Sequence, residues 1–126
     1  MDQRLYRHER LSERREYTRC YRHGRRLHSG FFTVYAYQRG NGAPRLGIAV
    51  GKPVGKAVVR NRIKRRFREL FRRRKALVPG GYDLFVRALP RSATATFAEL
   101  AEAWEKALAS LPATTAVKSA DDAVRD

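Results

Sequence analysis

The chain has 126 residues, room for one domain of ordinary size. Its 28 lysines and arginines stand against 12 acids, and the resulting net charge of +16 exceeds what solubility needs and predicts a polyanionic partner. No window reaches the roughly 18 uninterrupted apolar residues of a membrane-spanning helix, and residues 1–30 lack the apolar stretch of a signal peptide, so the expectation is a soluble, cytoplasmic protein without a membrane partner.

Cys20 is the single cysteine, which excludes an internal disulfide and a thiolate zinc cluster; the expectation is a small buried apolar residue. His8, His23 and His28 lie among arginines without the spacing of a helical metal pair and are read as surface residues or minor RNA contacts, so no metal site is expected in the chain. Charge is uneven along the sequence. Residues 1–30 carry nine basic and four acidic side chains, residues 52–75 twelve and one, and residues 88–126 four and six, so the positive field belongs to the first two-thirds.

Taken in chain order, residues 10–22 hold Leu11, Tyr17, Cys20 and Tyr21 at helical spacing, with Ser12 and Glu16 as a start signal and Gly24 as a stop. Residues 31–38 alternate with period two and predict a strand, Phe32, Val34 and Ala36 on one face and Phe31, Thr33, Tyr35 and Tyr37 on the other. Turn formers at 40–44 followed by the apolar run 45–50 predict a second strand, returning as an antiparallel hairpin. Residues 56–75 predict a long helix whose Val59, Ile63, Phe67, Leu70 and Phe71 form a narrow apolar stripe. Residues 82–88 predict a third strand, and the capping box Thr96 to Glu99 opens a last helix whose Trp104 is read as a core anchor. Beyond Pro112 the composition predicts a frayed tail, which makes 1–111 the folded unit and 112–126 a flexible segment.

The functional signal is concentrated in residues 52–69, KPVGKAVVRNRIKRRFRE. On a helix, Arg60, Lys64, Arg68 and Arg72 follow one row with Asn61 and Arg65 beside it, away from the apolar stripe. So many like charges repel unless phosphates lie nearby, and Asn61 adds a donor and an acceptor suited to a base edge or a 2′-hydroxyl. Solvated helix faces usually mix signs, whereas Glu69 is the one acid between Lys52 and Lys75. The run Gly51 to Ala57 imitates a nucleotide-binding phosphate loop but is one residue short between its glycines and has Ala57 where a hydroxyl would meet magnesium.

These residues resemble the bacterial ribonuclease P protein family, whose signature is an Arg-Asn-Arg helix with a Lys-x-x-x-Lys/Asn-Ala-Val lead-in. Here it reads Lys52, Lys56-Ala57-Val58, Arg60-Asn61-Arg62, Lys64-Arg65 and Arg68-Glu69, and the likeness runs over roughly residues 10–111. Tyr17 and Tyr21 stand where the family has an aromatic pair ahead of a glycine. The resemblance implies an α/β (α+β) single-domain sandwich with a central mixed sheet, about three helices and a left-handed βαβ crossover, against the usual right-handed rule.

It also implies a division of labour. Lys52, Lys56, Arg60, Asn61, Arg62, Lys64, Arg65 and Arg68 would contact a catalytic RNA, and Tyr17, Tyr21 and Tyr35 would line a cleft for the single-stranded 5′ leader of precursor transfer RNA. Hydrolysis would belong to magnesium ions held mainly by the RNA subunit, with no catalytic residue in this chain and no obligatory protein partner. The isolated acids Glu69 and Asp83 agree, since neither belongs to a cluster able to hold paired metals. Two departures stand out: Gly51-Lys52-Pro53 replaces a common Ser-Lys-Lys, and Leu89-Pro90-Arg91 stands where two basic residues often follow the later strand. A ribosomal or RNA-chaperone protein without enzymatic activity is the alternative; a DNA reader would show a helix-turn-helix or dimer spacing, and neither is visible.

Overall fold

A computed structural model describes residues 7–111; the expected flexible tail at 112–126 lies outside the described residues. α1 (Arg14–His23) leads into β1 (Arg25–His28) and β2 (Phe32–Gln38), and β3 (Arg45–Ala49) is followed by α2 (Ala57–Arg73), β4 (Tyr82–Ala88) and α3 (Phe97–Ala109). The sheet order is β1-β2-β4-β3, with β1 and β4 antiparallel to β2, and β3 parallel to β4. The sheet is mixed, and α2 is the crossover of a β3-α2-β4 unit. No helix among the described residues is long and apolar enough to cross a membrane.

The expected hairpin between β2 and β3 does not form. β4 lies between them, matched to β2 from Phe32↔Ala88 to Gln38↔Tyr82 and to β3 from Arg45↔Asp83 to Ala49↔Arg87. An inner strand must tolerate cover on both faces, and in β4 both Leu84 and Val86 on one side and Asp83 on the other are fully buried. The turn formers serve another closure: Arg39 N–H donates to Gly81 O (2.8 Å) and Gly81 N–H donates to Gly42 O (2.7 Å), which wraps the loop around the start of β4. Gly81 has φ +82°, and a Cβ there would collide with the Gly40 carbonyl oxygen, so glycine is required.

β1 is a strand that the sequence pattern does not announce. Its Arg-Arg-Leu-His offers Leu27 as the one apolar side chain, a composition suited to a charged sheet edge, and the turn at Ser29-Gly30 is the available clue. The start of α1 also shifts. Glu13 rather than Ser12 is the N-cap, and the Glu16 carboxylate accepts the N–H groups of Ser12 (2.9 Å) and Glu13 (3.1 Å). At α3 the capping box is as expected, with Thr96 Oγ1 accepting from Glu99 N–H at 3.0 Å.

The two faces of the sheet carry separate cores. On one, Phe32, Val34, Leu84 and Val86 meet Ile63, Phe67, Leu70 and Phe71 of α2 and Leu100, Trp104 and Leu108 of α3. Phe32 stands edge-on to Phe67 at 5.3 Å, and Trp104 is fully buried beside both. On the other face a small cluster of Leu11, Cys20 and Tyr35, flanked by Tyr17, Tyr37 and Phe85, holds α1.

Asp83 fastens α1 to that second face. Its carboxylate is fully buried and receives Arg45 bidentately (Nε 2.9 Å, Nη2 2.8 Å), Arg39 (2.7 Å) and Arg19 of α1 (3.3 Å). Arg45 continues to Glu16 of α1 at 3.0 Å. Its hydrogen bonds to Asp83 outweigh burial and hold the guanidinium charged well above its ordinary range. Burial alone would raise the Glu16 carboxyl, but the Glu13 and Ser12 amides and Arg45 together hold it below its usual value. Asp83→Asn keeps the shape and removes the charge that three guanidinium groups share. Denaturant titration should show a loss of about 3 to 5 kcal/mol, the cost of breaking a buried ion pair; a loss under about 1 kcal/mol would class the cluster with solvated surface pairs.

Candidate nucleic-acid interface

α2 begins where Gly55, at φ +154°, ends the 3-10 turn Lys52–Val54, whose Val54 is buried and anchors the lead-in. The N-cap is Lys56, and the first turn holds no acid, an arrangement opposed to the helix dipole and favourable only with an anion nearby. The buried stripe is Ile63, Phe67, Leu70 and Phe71, with Val59 half-buried, which leaves the basic rows outward.

Lys52, Lys56, Asn61, Arg62 and Arg65 are exposed, and Arg60, Lys64 and Arg68 are half-buried. The side chains of Lys52, Lys56, Asn61, Lys64, Arg65 and Arg68 make no hydrogen bond or ion pair to another described residue. Two members of the expected set have structural ties as well. Arg60 Nε donates to Gly55 O (3.1 Å), steadying the turn into the helix, and Arg62 Nη2 donates to Ala93 O (3.2 Å). Arg66, outside the expected set, donates to Ala95 O at 2.7 Å.

A hollow of about 290 Å³ beside α2 is lined by Arg62, Arg65, Arg66, Arg73, Glu69 and Phe97. Glu69 is buried and paired with Arg72 (2.9 Å) and Arg73, and the hydrogen bond from Arg72 is the main reason its carboxyl stays below the usual range. The one acid of the basic segment is thus spent within the helix, and the outward rows stay cationic.

The three expected leader residues meet on the opposite face of the sheet, in unequal settings. Tyr21 is 55% exposed and lies with its ring 5.1 Å from Tyr35. Tyr35 is buried, stacked on Phe85 (5.7 Å, 27°) with the Tyr21 ring tilted against it (54°). Tyr17 is half-buried, edge-on to Phe85 at 5.3 Å, and its hydroxyl donates to Leu11 O at 3.0 Å. Burial and the neighbouring Glu16 and Cys20 push that hydroxyl upward in pKa, so it stays a neutral donor. Gly47 makes room for it: a Cβ there would lie 2.5 Å from Tyr17 Cε1. Tyr21 therefore has the open ring and leans on Tyr35, while Tyr35 and Tyr17 both pack on Phe85.

Past α1 the face opens into a cleft of about 290 Å³ whose lining includes Thr33, Tyr35, Ala49, Gly51, Pro53 and Arg87. Phe85 and Arg87 were not singled out from the sequence. Period-two alternation in residues 82–88 places Asp83, Phe85 and Arg87 together on the face away from the main core, and that second face was the missed signal. Among the described residues no group of three or more His, Cys, Asp or Glu side chains could hold a metal ion.

A family model described as Ribonuclease P matches residues 5–112. The chain belongs to the ribonuclease P family. It is 49% identical over 84 residues to the ribonuclease P protein component of Oleidesulfovibrio alaskensis, covering 65% of this chain and 67% of that protein. The corresponding protein of Acidothermus cellulolyticus is 39% identical over 107 residues, covering 83% and 89%. Among solved structures, the ribonuclease P protein from Thermotoga maritima superposes with a TM-score of 0.75 at 32% identity, covering 82% of this chain and 98% of that one. The family and the basic helix with its mixed sheet therefore agree with the resemblance drawn from residues 52–69.

Cys20 reports on the contact between α1 and the sheet that builds the cleft. It is fully buried, its Sγ lies 3.6 Å from Asp83 O, and burial with the nearby Asp83 charge pushes its thiol up to about 12. At pH 8 the native thiol should react with a disulfide reagent at least about a hundredfold more slowly than the urea-unfolded chain, because thiolate and access are both scarce. Equal rates would mean that α1 does not cover this site.

Proposed function

We propose that this chain is the protein subunit of a ribonuclease P ribonucleoprotein, the endoribonuclease that removes the 5′ leader from precursor transfer RNA in the cytoplasm. The observation that carries the reading is the separation of two surfaces by one sheet. α2 offers cations without protein partners on one side, while α1 and the other side form an aromatic cleft with an open tyrosine.

Lys52, Lys56, Asn61, Lys64, Arg65 and Arg68 neutralise phosphates of the catalytic RNA, with Arg60 and Arg62 adding contacts from side chains already steadied by backbone carbonyls. Tyr21 stacks on a leader base, backed by Tyr35, a mode that tolerates any base because each has a π-face. Magnesium-dependent hydrolysis is the work of the RNA subunit, which holds the ions. The protein contributes affinity: it lowers the repulsion between two RNAs and grips the leader.

Binding of the assembled ribonucleoprotein and of the free protein tests both surfaces. Arg65→Ala and Arg68→Ala should each weaken association with the catalytic RNA and reduce its log-log salt slope by about 0.7 to 0.9. Tyr21→Ala should spare that association and weaken binding of precursor, but not mature, transfer RNA by about five-fold to a hundred-fold. Unchanged salt slopes would leave the α2 face merely solvated, and magnesium-dependent cleavage by RNA-free protein would overturn the assignment of chemistry to the RNA.

A further inference from the structure

Arg87 lines the cleft past α1 but has been given no role there, and its setting is unusual. It stands on β4, an inner strand, opposite Thr33 of β2 and Ala49 of β3. A long charged side chain on an inner strand is exposed only where nothing packs over the sheet, and Arg87 is exposed. Arg19, Arg39 and Arg45, on the same side of the sheet, are all engaged by Asp83. Arg87 has no hydrogen-bond, ion-pair or ring partner among the described residues.

The register explains what surrounds it. One row across the strands is Arg26, Tyr35, Phe85 and Gly47; the next is His28, Thr33, Arg87 and Ala49. An aromatic row under the end of α1 is therefore followed by a polar row whose inner member is a free guanidinium. His28 Nδ1 lies 3.0 Å from Thr33 Oγ1, so the polar group next to Arg87 is tied to its outer neighbour in the row. The Leu89-Pro90-Arg91 segment does not compete, because Arg91 lies over the Phe31 ring at 4.9 Å while Leu89 and Pro90 form an apolar wall of the cleft.

We propose that Arg87 binds a backbone phosphate of the single-stranded RNA leader, at the nucleotide next to the one stacked on Tyr21. This rests on the reading of the cleft given above and adds its phosphate contact. A guanidinium suits the role because its planar fork can donate two hydrogen bonds to one phosphate and keeps its charge in an apolar setting. The aromatic row holds a base without regard to sequence, and the cation beside it holds the chain that carries the base. Leader-length dependence then arises from a base contact and a phosphate contact one residue-pair apart on the sheet.

The test is binding of the assembled ribonucleoprotein to mature transfer RNA and to precursors with graded leaders, in calcium to slow cleavage. Arg87→Ala should weaken long-leader precursor about tenfold at low salt, the scale of one charge-assisted hydrogen bond, and lower the salt slope by about 0.7. Mature transfer RNA should be held as before, and Arg87→Lys should restore the salt slope but only part of the affinity. A leader with one neutral methylphosphonate linkage should bind parent and Arg87→Ala equally once the linkage falls at the contacted phosphate. If Tyr21→Ala shows leader-specific loss and Arg87→Ala shows none, or loses precursor and mature RNA alike, the Arg87 assignment is wrong and the cleft stands. If neither variant discriminates, the cleft reading itself fails.

Discussion

The carboxylate of Asp83 is the constraint on which the α1-covered face of the sheet depends. It is a fully buried charge, and a buried charge survives only when paired and hydrogen-bonded. Its partners come from α1, from the loop after β2 and from β3, so satisfying one carboxylate fixes three segments against β4. Once Arg19 and Glu16 hold α1 in place, Tyr17 must settle on Gly47 and Tyr21 over Tyr35. Removing any one arginine leaves the others to satisfy the charge. Removing the carboxylate leaves three cations together with nothing to hold them.

The helix α2 poses the opposite problem, charge without compensation. Like-charged pairs four residues apart, such as Arg60 with Lys64 and Lys64 with Arg68, cost an isolated helix about 0.2 to 0.5 kcal/mol each. Burial of Ile63, Phe67, Leu70 and Phe71 contributes about 1.5 to 3 kcal/mol apiece, so packing outweighs repulsion and the helix folds without a partner. On the proposed function, this preformed cationic face binds phosphates without an ordering cost and the partner relieves the repulsion.

Much of this was legible in the sequence. The apolar stripe of α2, the limits of β4, the Thr96 capping box and the buried Trp104 follow from local periodicity and local hydrogen bonding, which depend on near neighbours alone. What was hidden depends on strand order. Residues 40–44 read as a hairpin turn because turn chemistry does not say which strand the returning chain meets, and β4 lies far along the sequence. β1 was hidden because a charged edge strand has little alternation to detect. Asp83 looked like an isolated acid, since its three partners lie 38 to 64 residues away. For the site, the basic row was readable from helical spacing. The unequal exposure of Tyr17, Tyr21 and Tyr35 was not, because it comes from how α1 sits on the sheet.

On the proposed function, one sheet separates two RNA-binding surfaces with different occupants. A photo-crosslinking phenylalanine analogue placed at position 21 or at position 65 of the assembled ribonucleoprotein, with the catalytic RNA and the precursor carrying different labels, addresses it in one experiment. Crosslinks from position 21 should map to the 5′ leader of the precursor, and those from position 65 to the catalytic RNA. Crosslinks from both positions to the same RNA would contradict the separation.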